Sequence, residues 1–441
     1  MYHRTIVWFL GAGLMAGAVF AAEPQTLPGE NPRPIRLIRP PVGPLSAMAK
    51  LGRDVFFDTS LSSSGKIACA SCHSPDHAYG PPNDGPVMLG GPALTLPGGR
   101  AAPSLTYLER QPDFSIGPDD RENETVTLTE MAAIGQTADR VQKNATDSEK
   151  SAANIVPQGG LFWDGRADTL QMQASGPLLD PREMDGGSIE IVAEKLRNVP
   201  YAGKFAALFG KNIFKNANLL VAEAMFAVGR YQIEEPSFHP YTSKYDYWLE
   251  GKVRLSEVEL RGLRLFNDPK KANCAGCHTS KPSREGHPPV FTDTQYEALG
   301  APRNLALVDT RDSNYFDLGV CGPVRKDIAD QTQFCGMFKT PTLRNTAVRR
   351  TFLHNGVYHT LQEVMDFYNF RDTNPEKVYP VGADGKVQKY NDIPQMYHDN
   401  VDVFDPPFNR HLGDVPAMTD QDEADIIAFM KTLNDGYKLE E

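Results

Sequence analysis

Apolar residues recur at helical spacing in two regions of the chain, and each region opens with a capping signature. Ser256 with Glu259 and Thr419 with Asp422 have the spacing of helix N-caps. The apolar stripes that follow are Leu260, Leu263 and Phe266 in one region and Ile426, Ile427, Met430 and Leu433 in the other. The stripes predict two helices, the second ending at Gly436, and a further helix is expected over Thr360 to Asn369.

No strand-like alternation of comparable length occurs, and 35 prolines with 37 glycines favour long loops around the helices. The predicted fold class is therefore mainly α. At the N-terminus, Arg4 precedes an apolar run from Ile6 to Phe20, which is followed by small residues before Ala22. This pattern is typical of a secretory signal, predicted over 1–21, because the run is short for a membrane span and no stop-transfer segment follows.

An internal repeat divides the chain into two halves. Leu51-Gly52-Arg53-Asp54-Val55-Phe56 and Arg261-Gly262-Leu263-Arg264-Leu265-Phe266 share the same glycine-to-phenylalanine spacing. The repeat predicts an N-terminal domain over 22–250 and a C-terminal domain over 251–441. The composition of 40% hydrophobic and 23% charged residues is typical of a globular protein. The net charge of −11 argues against a nucleic-acid partner.

Each repeat is followed by a Cys-x-x-Cys-His sequence. The first is Cys69-Ala70-Ser71-Cys72-His73 and the second is Cys274-Ala275-Gly276-Cys277-His278. Such a motif supplies two thiols for thioether bonds to haem and a histidine for the iron. Zinc or redox sites are the alternative, but redox pairs rarely carry the histidine and zinc would need further ligands nearby. Two covalent c-type haems are therefore expected, and in a bacterium such attachment occurs in the periplasm.

The chain resembles the bacterial dihaem cytochrome c peroxidases, and among them the MauG-type enzymes. The resemblance rests on four stretches in order: Leu51 to Asp58 with the first haem motif, Leu161-Phe162-Trp163-Asp164-Gly165-Arg166 continuing to Met184, the second haem motif, and Phe338-Lys339-Thr340-Pro341-Thr342-Leu343-Arg344-Asn345 continuing to Tyr368. It implies two cytochrome-c-like domains, the N-terminal haem reacting with peroxide and the C-terminal haem transferring electrons.

For the first haem, His73 is the expected proximal ligand. His77 is the only histidine between His73 and His239, and it lies too close in sequence to reach the opposite face, so the iron should be open. The resemblance maps the distal catalytic residues onto Gln173, Pro177 and Glu183, with Glu183 as the acid/base. It also places Trp163 between the two haems as the coupling residue.

For the second haem, His278 is the expected proximal ligand, and the resemblance places Tyr368 where ordinary family members carry methionine. A phenolate ligand favours higher oxidation states of iron. Met365 lies one helical turn earlier and is the alternative sixth ligand.

The chain departs from the family pattern at the calcium site. The family's Arg-Asn-x-Pro is Arg100-Ala101-Ala102-Pro103 here, and Thr351 replaces a proline whose carbonyl contributes, so calcium is in doubt. The connection from Pro103 to Trp163 is longer than the family's minimal one and is either a solvated excursion or a lid or docking surface. Cys321 and Cys335 remain after the haem thiols and are expected to form a disulfide.

These observations predict a periplasmic dihaem enzyme that reduces hydrogen peroxide. Its electron donor would be a small cytochrome or copper protein. Two alternatives remain: MauG-type oxidation of residues on a protein partner, and a non-catalytic electron carrier.

Overall fold

The structure is a computed structural model that describes residues 27–118 and 155–439. The predicted signal over 1–21 and much of the long 104–160 connection lie outside the described residues. The described helices, apart from short 3-10 turns, are α1 (Ala47–Phe56), α2 (Cys69–Cys72), α3 (Leu170–Leu179), α4 (Ile189–Asn198), α5 (Ala202–Phe209), α6 (Ala217–Glu234), α7 (Lys244–Leu249), α8 (Glu257–Phe266), α9 (Cys274–Cys277), α10 (Leu361–Phe370) and α11 (Asp420–Lys431).

In the described part of the chain, strands are few and short, which confirms the mainly α prediction. Those described form three antiparallel pairs: β1 (Leu89–Gly90) with β2 (Leu96–Pro97), β3 (Ser115–Pro118) with β4 (Ile155–Gln158), and β5 (Tyr296–Glu297) with β6 (Phe338–Lys339). Within residues 27–118 and 155–439, no helix is both long and apolar enough to cross a membrane.

The first hydrophobic core forms where α1 crosses α6. Phe56 is fully buried there with Tyr231 and Phe238, with ring centroids 5.5 and 5.9 Å from that of Phe56. Gly52 makes the crossing close, because a Cβ atom at that position would overlap the carbonyl of Ala227. The first copy of the sequence repeat is therefore a helix-packing unit.

The second core repeats this arrangement with α8 and α11. Phe266 is fully buried against Phe429, with ring centroids 5.2 Å apart, and a Cβ atom at Gly262 would overlap the Asp425 carbonyl. Both predicted capping boxes are present. Helix α11 ends at Lys431, earlier than predicted, although Leu433 is still buried.

Helix α7 and the N-terminal segment pack with the second core. Tyr245, Trp248 and Leu249 of α7 cluster there with Leu37, and the Trp248 indole donates to the Gly29 carbonyl. Helix α7 precedes the predicted domain boundary near residue 250 but packs with the core that follows it in sequence. The boundary itself remains a prediction. The expected disulfide joins Cys321 to Cys335.

The two crossing glycines generate a stability prediction. Gly52→Ala and Gly262→Ala should each destabilise the protein by about 1–3 kcal/mol, because the added methyl group must push two helix backbones apart. The control is Gly203→Ala in α5, where nothing lies within 4 Å of the added Cβ. That control should be neutral or stabilising by up to about 1 kcal/mol. Denaturant unfolding of all three variants measures this, and equal effects at the three positions would contradict the close-packing explanation.

Candidate functional site

Each Cys-x-x-Cys-His motif forms one helical turn at the edge of a cavity. In α2 and α9 the two cysteines are three residues apart and therefore share a helix face. None of these four cysteines forms a disulfide, and each pair lines the same cavity as the histidine that follows it. Two thiols and an imidazole converging on one cavity are the donor set that a covalently attached haem requires, so the residues present fit the predicted cofactor at both positions.

The two histidines are held in the tautomer that metal binding needs. Nδ1 of His73 lies 3.1 Å from the carbonyl oxygen of Tyr79, and Nδ1 of His278 lies 2.9 Å from that of Phe291. A carbonyl can only accept, so Nδ1 carries the proton and Nε2 keeps its lone pair. Burial lowers the pKa of each histidine to about 4, which keeps both rings neutral at physiological pH.

The first cavity collects the predicted distal residues. Gln173 and Pro177 reach it from α3, and Glu183 reaches it from the loop that follows this helix. His73 is the one histidine lining it in the described part of the chain, whereas the His77 ring lies 3.2 Å from the Ser74 hydroxyl, away from the lining. Among the described residues, therefore, no second imidazole lines this cavity.

Glu183 is held by backbone contacts on both sides of its loop. Its N–H donates to the Asp180 carbonyl at 3.0 Å, and its carbonyl accepts from Gly91 at 2.8 Å. A Cβ atom at Gly90 would overlap the Glu183 carbonyl, so β1 needs glycine to approach this closely. Burial, assisted by the nearby Asp180 charge, raises the pKa of Glu183 to about 7. A carboxyl group poised near neutrality can both accept and return a proton.

A shared wall separates the two cavities. Trp163 lines both of them, as do four neighbours: Pro103, Leu105, Phe162 and Gln173. The Trp163 indole donates to the Ala101 carbonyl at 2.8 Å, and the Trp163 carbonyl accepts from the Lys339 N–H at 2.9 Å. These two bonds hold the aromatic ring between the two candidate haem positions.

The second cavity is lined by both candidate sixth ligands. Met365 and Tyr368 lie on α10, and each reaches the cavity that holds His278. Tyr368 packs on Phe408, with ring centroids 5.2 Å apart. Burial raises the pKa of Tyr368 well above its ordinary value, while Arg371 opposes that shift. Without a bound cation the group is a neutral phenol, so a role as a phenolate requires the metal itself.

The residues at the family's calcium position do not fit a divalent cation. Ala101 has no side-chain oxygen to offer, and the Thr351 hydroxyl donates to the Gly85 carbonyl at 2.9 Å. The Thr351 carbonyl already accepts a hydrogen bond from the Arg349 guanidinium. At Ala101 the side-chain oxygen that the family uses is therefore missing, and at Thr351 both the hydroxyl and the carbonyl oxygen already form hydrogen bonds.

The sequence reasoning gave no role to Arg166 or Arg349, although each lines a cavity. Arg166 lines the first cavity, lies over the Phe162 ring at 3.5 Å and pairs with Asp164 at 2.8 Å. Arg349 lines the second cavity. Arg166 belongs to the Trp-Asp-Gly-Arg run that carried the resemblance, so its position was available as a signal. Arg349 belongs to no motif used in the sequence analysis, so nothing in the sequence indicated that it would line a cavity.

The fold and cavities describe a mainly helical protein with two c-type haem attachment sites. A model of the di-haem cytochrome c peroxidase family matches residues 46–254. Methylamine utilization protein MauG of Paracoccus denitrificans is 31% identical over 342 residues, which cover 76% of this chain and 78% of that protein. The chain therefore belongs to the di-haem cytochrome c peroxidase family.

Other relatives extend the similarity over most of the chain. Cytochrome c551 peroxidase of Nitrosomonas europaea is 27% identical, covering 83% of this chain and 84% of that protein. The crystal structure of the diheme peroxidase BthA from Burkholderia thailandensis matches this fold with a TM-score of 0.73 and 33% sequence identity. The match covers 93% of this chain and 94% of that one. A tyrosine-to-methionine variant of BthA matches with a TM-score of 0.74.

The attachment sites generate a prediction of cofactor content. The mature protein, exported by a host with haem-ligation machinery, should carry two covalent haems, and Cys69→Ala and Cys274→Ala should each abolish the two-bond attachment at one site only. Intact-protein mass spectrometry and a pyridine haemochrome assay count the haems. Haem that acid acetone extracts from the wild-type protein would contradict covalent attachment.

The environment of Glu183 generates a pH prediction. A raised carboxyl pKa means that the protonated form predominates below about pH 7, so a base-dependent reaction with peroxide should accelerate as the pH rises through that value. Glu183→Gln should slow the reaction by about 10²-fold or more and remove this pH dependence. Asp180→Asn is the matched variant, because it removes the charge that helps to raise the pKa and should move the midpoint downward. Stopped-flow mixing with peroxide across pH 5–9 gives the profiles, and an unchanged Glu183→Gln rate would exclude an acid/base role.

Proposed function

We propose that this protein is a periplasmic enzyme that reduces hydrogen peroxide at its N-terminal haem site and shares oxidising equivalents with its C-terminal site. The observation that carries the proposal is the shared Trp163 wall. On one side lies a cavity with a carboxyl group tuned near neutrality and no second histidine among its described lining residues. On the other side lies a cavity that offers Tyr368.

The side chains of the first cavity handle the protons of the reaction. Reduction of hydrogen peroxide to two waters consumes two electrons and two protons, and the bound haem iron would supply the redox chemistry. Glu183 takes a proton from the incoming peroxide and returns it to the departing oxygen. Gln173, whose side chain is buried in the same wall, orients the peroxide, and Pro177 narrows the cavity beside it.

The side chains of the second cavity adapt that site to store oxidising equivalents. His278 would hold one face of the haem, and Tyr368 would hold the other as a phenolate. An anionic oxygen ligand stabilises a higher charge on iron than a thioether does. Trp163, which contacts both cavities, provides the path for electrons between them.

Two donor classes are compatible with this arrangement. A small cytochrome or copper protein would make the enzyme a peroxidase, like the cytochrome c551 peroxidase relative. The similarity to MauG favours a second candidate, in which the reducing electrons come from residues of a protein partner. An open cavity with a tuned acid/base argues against a non-catalytic electron carrier.

The spin states of the two haems in the fully ferric protein test whether Tyr368 is the sixth ligand. If Tyr368 is the sixth ligand, the resting enzyme should show one high-spin and one low-spin ferric haem by electron paramagnetic resonance, and it should consume peroxide without prior reduction. Tyr368→Phe should convert the low-spin signal to high spin while both covalent haems remain. Met365→Leu, on the same helix face, is the control and should leave the signal unchanged.

Turnover assays on the same samples distinguish the two candidate functions. Turnover with peroxide and a small reduced cytochrome supports a peroxidase, whereas turnover only with a co-encoded protein that becomes oxidised supports the MauG-type reaction. A wild-type enzyme that shows two low-spin haems and stays inert until half-reduced would contradict the proposal.

A further inference from the structure

The partly buried guanidinium of Arg349 donates hydrogen bonds to two backbone carbonyl oxygens where the two cavities meet. Its Nη2 donates to the Ala102 carbonyl at 3.0 Å and to the Thr351 carbonyl at 3.3 Å, and its Nε lies 3.4 Å from the same Thr351 oxygen. Within residues 27–118 and 155–439 no carboxylate forms an ion pair with it, whereas the fully buried Arg344 and Arg371 each pair with an aspartate. A guanidinium group keeps its proton at neutral pH, so Arg349 is a cation.

The two carbonyls that Arg349 binds come from the two halves of the chain. Ala102 lines the first cavity, close to Pro103 and the Trp163 wall. Thr351 lines the second cavity, as does Arg349 itself. A single cation thus joins backbone oxygens from the two halves of the chain at the place where the two cavities meet.

These oxygens belong to the segments where the family resemblance places a divalent cation. The resemblance assigns to that cation a side-chain oxygen at the position of Ala101 and a carbonyl at the position of Thr351. Ala101 cannot supply the first, and Arg349 occupies the second. Two backbone oxygens of these segments, those of Ala102 and Thr351, therefore accept hydrogen bonds from a guanidinium group.

We propose that the guanidinium of Arg349 is the resident interdomain cation of this protein and replaces calcium as the positioning element between the two haem sites. A guanidinium group satisfies several carbonyl oxygens at once through its fixed N–H donors. Because it is tethered to the chain, it cannot be lost to a chelator. The proposal does not depend on which substrate the enzyme oxidises.

Metal analysis of the wild-type holoenzyme is the first test. After dialysis against calcium chloride and then metal-free buffer, elemental analysis should find well below one calcium per chain. Excess EGTA should leave the melting temperature and the ferric haem spectra unchanged. One tightly held calcium per chain, or a melting temperature that falls on chelation, would overturn the proposal.

Charge removal is the second test. Arg349→Ala should keep both covalent haems, lower the melting temperature by about 4 °C or more through the loss of charge-assisted hydrogen bonds, and change the ferric haem spectra. Adding guanidinium ion at low millimolar concentration should partly restore the melting temperature and the ferric haem spectra of this variant. A side chain that only fills space would not be rescued in this way. Arg350→Ala is the matched control, since that neighbour is 69% exposed and 3.4 Å from an equally exposed Asp84.

A metal-restoring variant completes the design and remains informative if Arg349→Ala does not fold. Ala101→Asn, Arg349→Thr and Thr351→Pro combined return the missing oxygen, remove the tethered cation and restore the family's proline. The triple variant should bind one calcium by titration calorimetry, and EGTA should lower its melting temperature. A triple variant that is stable and indifferent to calcium, or an Arg349→Ala protein indistinguishable from Arg350→Ala, would refute the replacement.

Discussion

The arrangement of both cavities depends on one fully buried carboxylate, that of Asp164. Its two oxygens accept hydrogen bonds from Arg100 and Arg166 at 2.7 and 2.8 Å, and Arg100 also pairs with Asp317 at 2.7 Å. Arg325 donates to the Asp164 backbone carbonyl at 2.9 Å. Removing one partner from such a network leaves an uncompensated buried charge, which typically costs about 3–5 kcal/mol. Trp163 is the adjacent residue, so the network fixes the backbone that carries the wall between the haem sites.

The two haem sites are built alike but equipped differently. In both halves a glycine admits a partner helix, a buried phenylalanine fills the crossing, and a one-turn helix then presents the thiols. The difference lies in what faces each histidine across its cavity. Glu183 and Gln173 in the first cavity suit proton transfer, whereas Tyr368 and Met365 in the second suit ligation. A common scaffold therefore carries two cavities with different side-chain chemistry within one chain.

Cations tie the two halves together alongside apolar contacts such as that of Phe114 with Tyr296. Arg100, Arg325 and Arg349 each reach from one half of the chain to an oxygen of the other, and the Lys339 ammonium donates to the Gly160 carbonyl at 2.7 Å. Directional bonds of this kind hold Trp163 and its neighbours in position more sharply than apolar contacts could, because hydrogen bonds weaken steeply with angle.

Local signals in the sequence were enough to predict the haem-attachment motifs, the helix caps, the mainly α fold and the disulfide. Each of these depends on residues close in the chain or on a short fixed spacing. The resemblance supplied Gln173, Pro177 and Glu183, which the structure brings to one cavity. Tertiary structure alone showed why Gly52 and Gly262 recur, since the atoms that exclude a side chain there belong to helices distant in sequence. It alone also revealed the raised pKa of Glu183 and the contact of Arg349 with the Ala102 carbonyl, because burial and long-range contacts arise only when distant segments pack together.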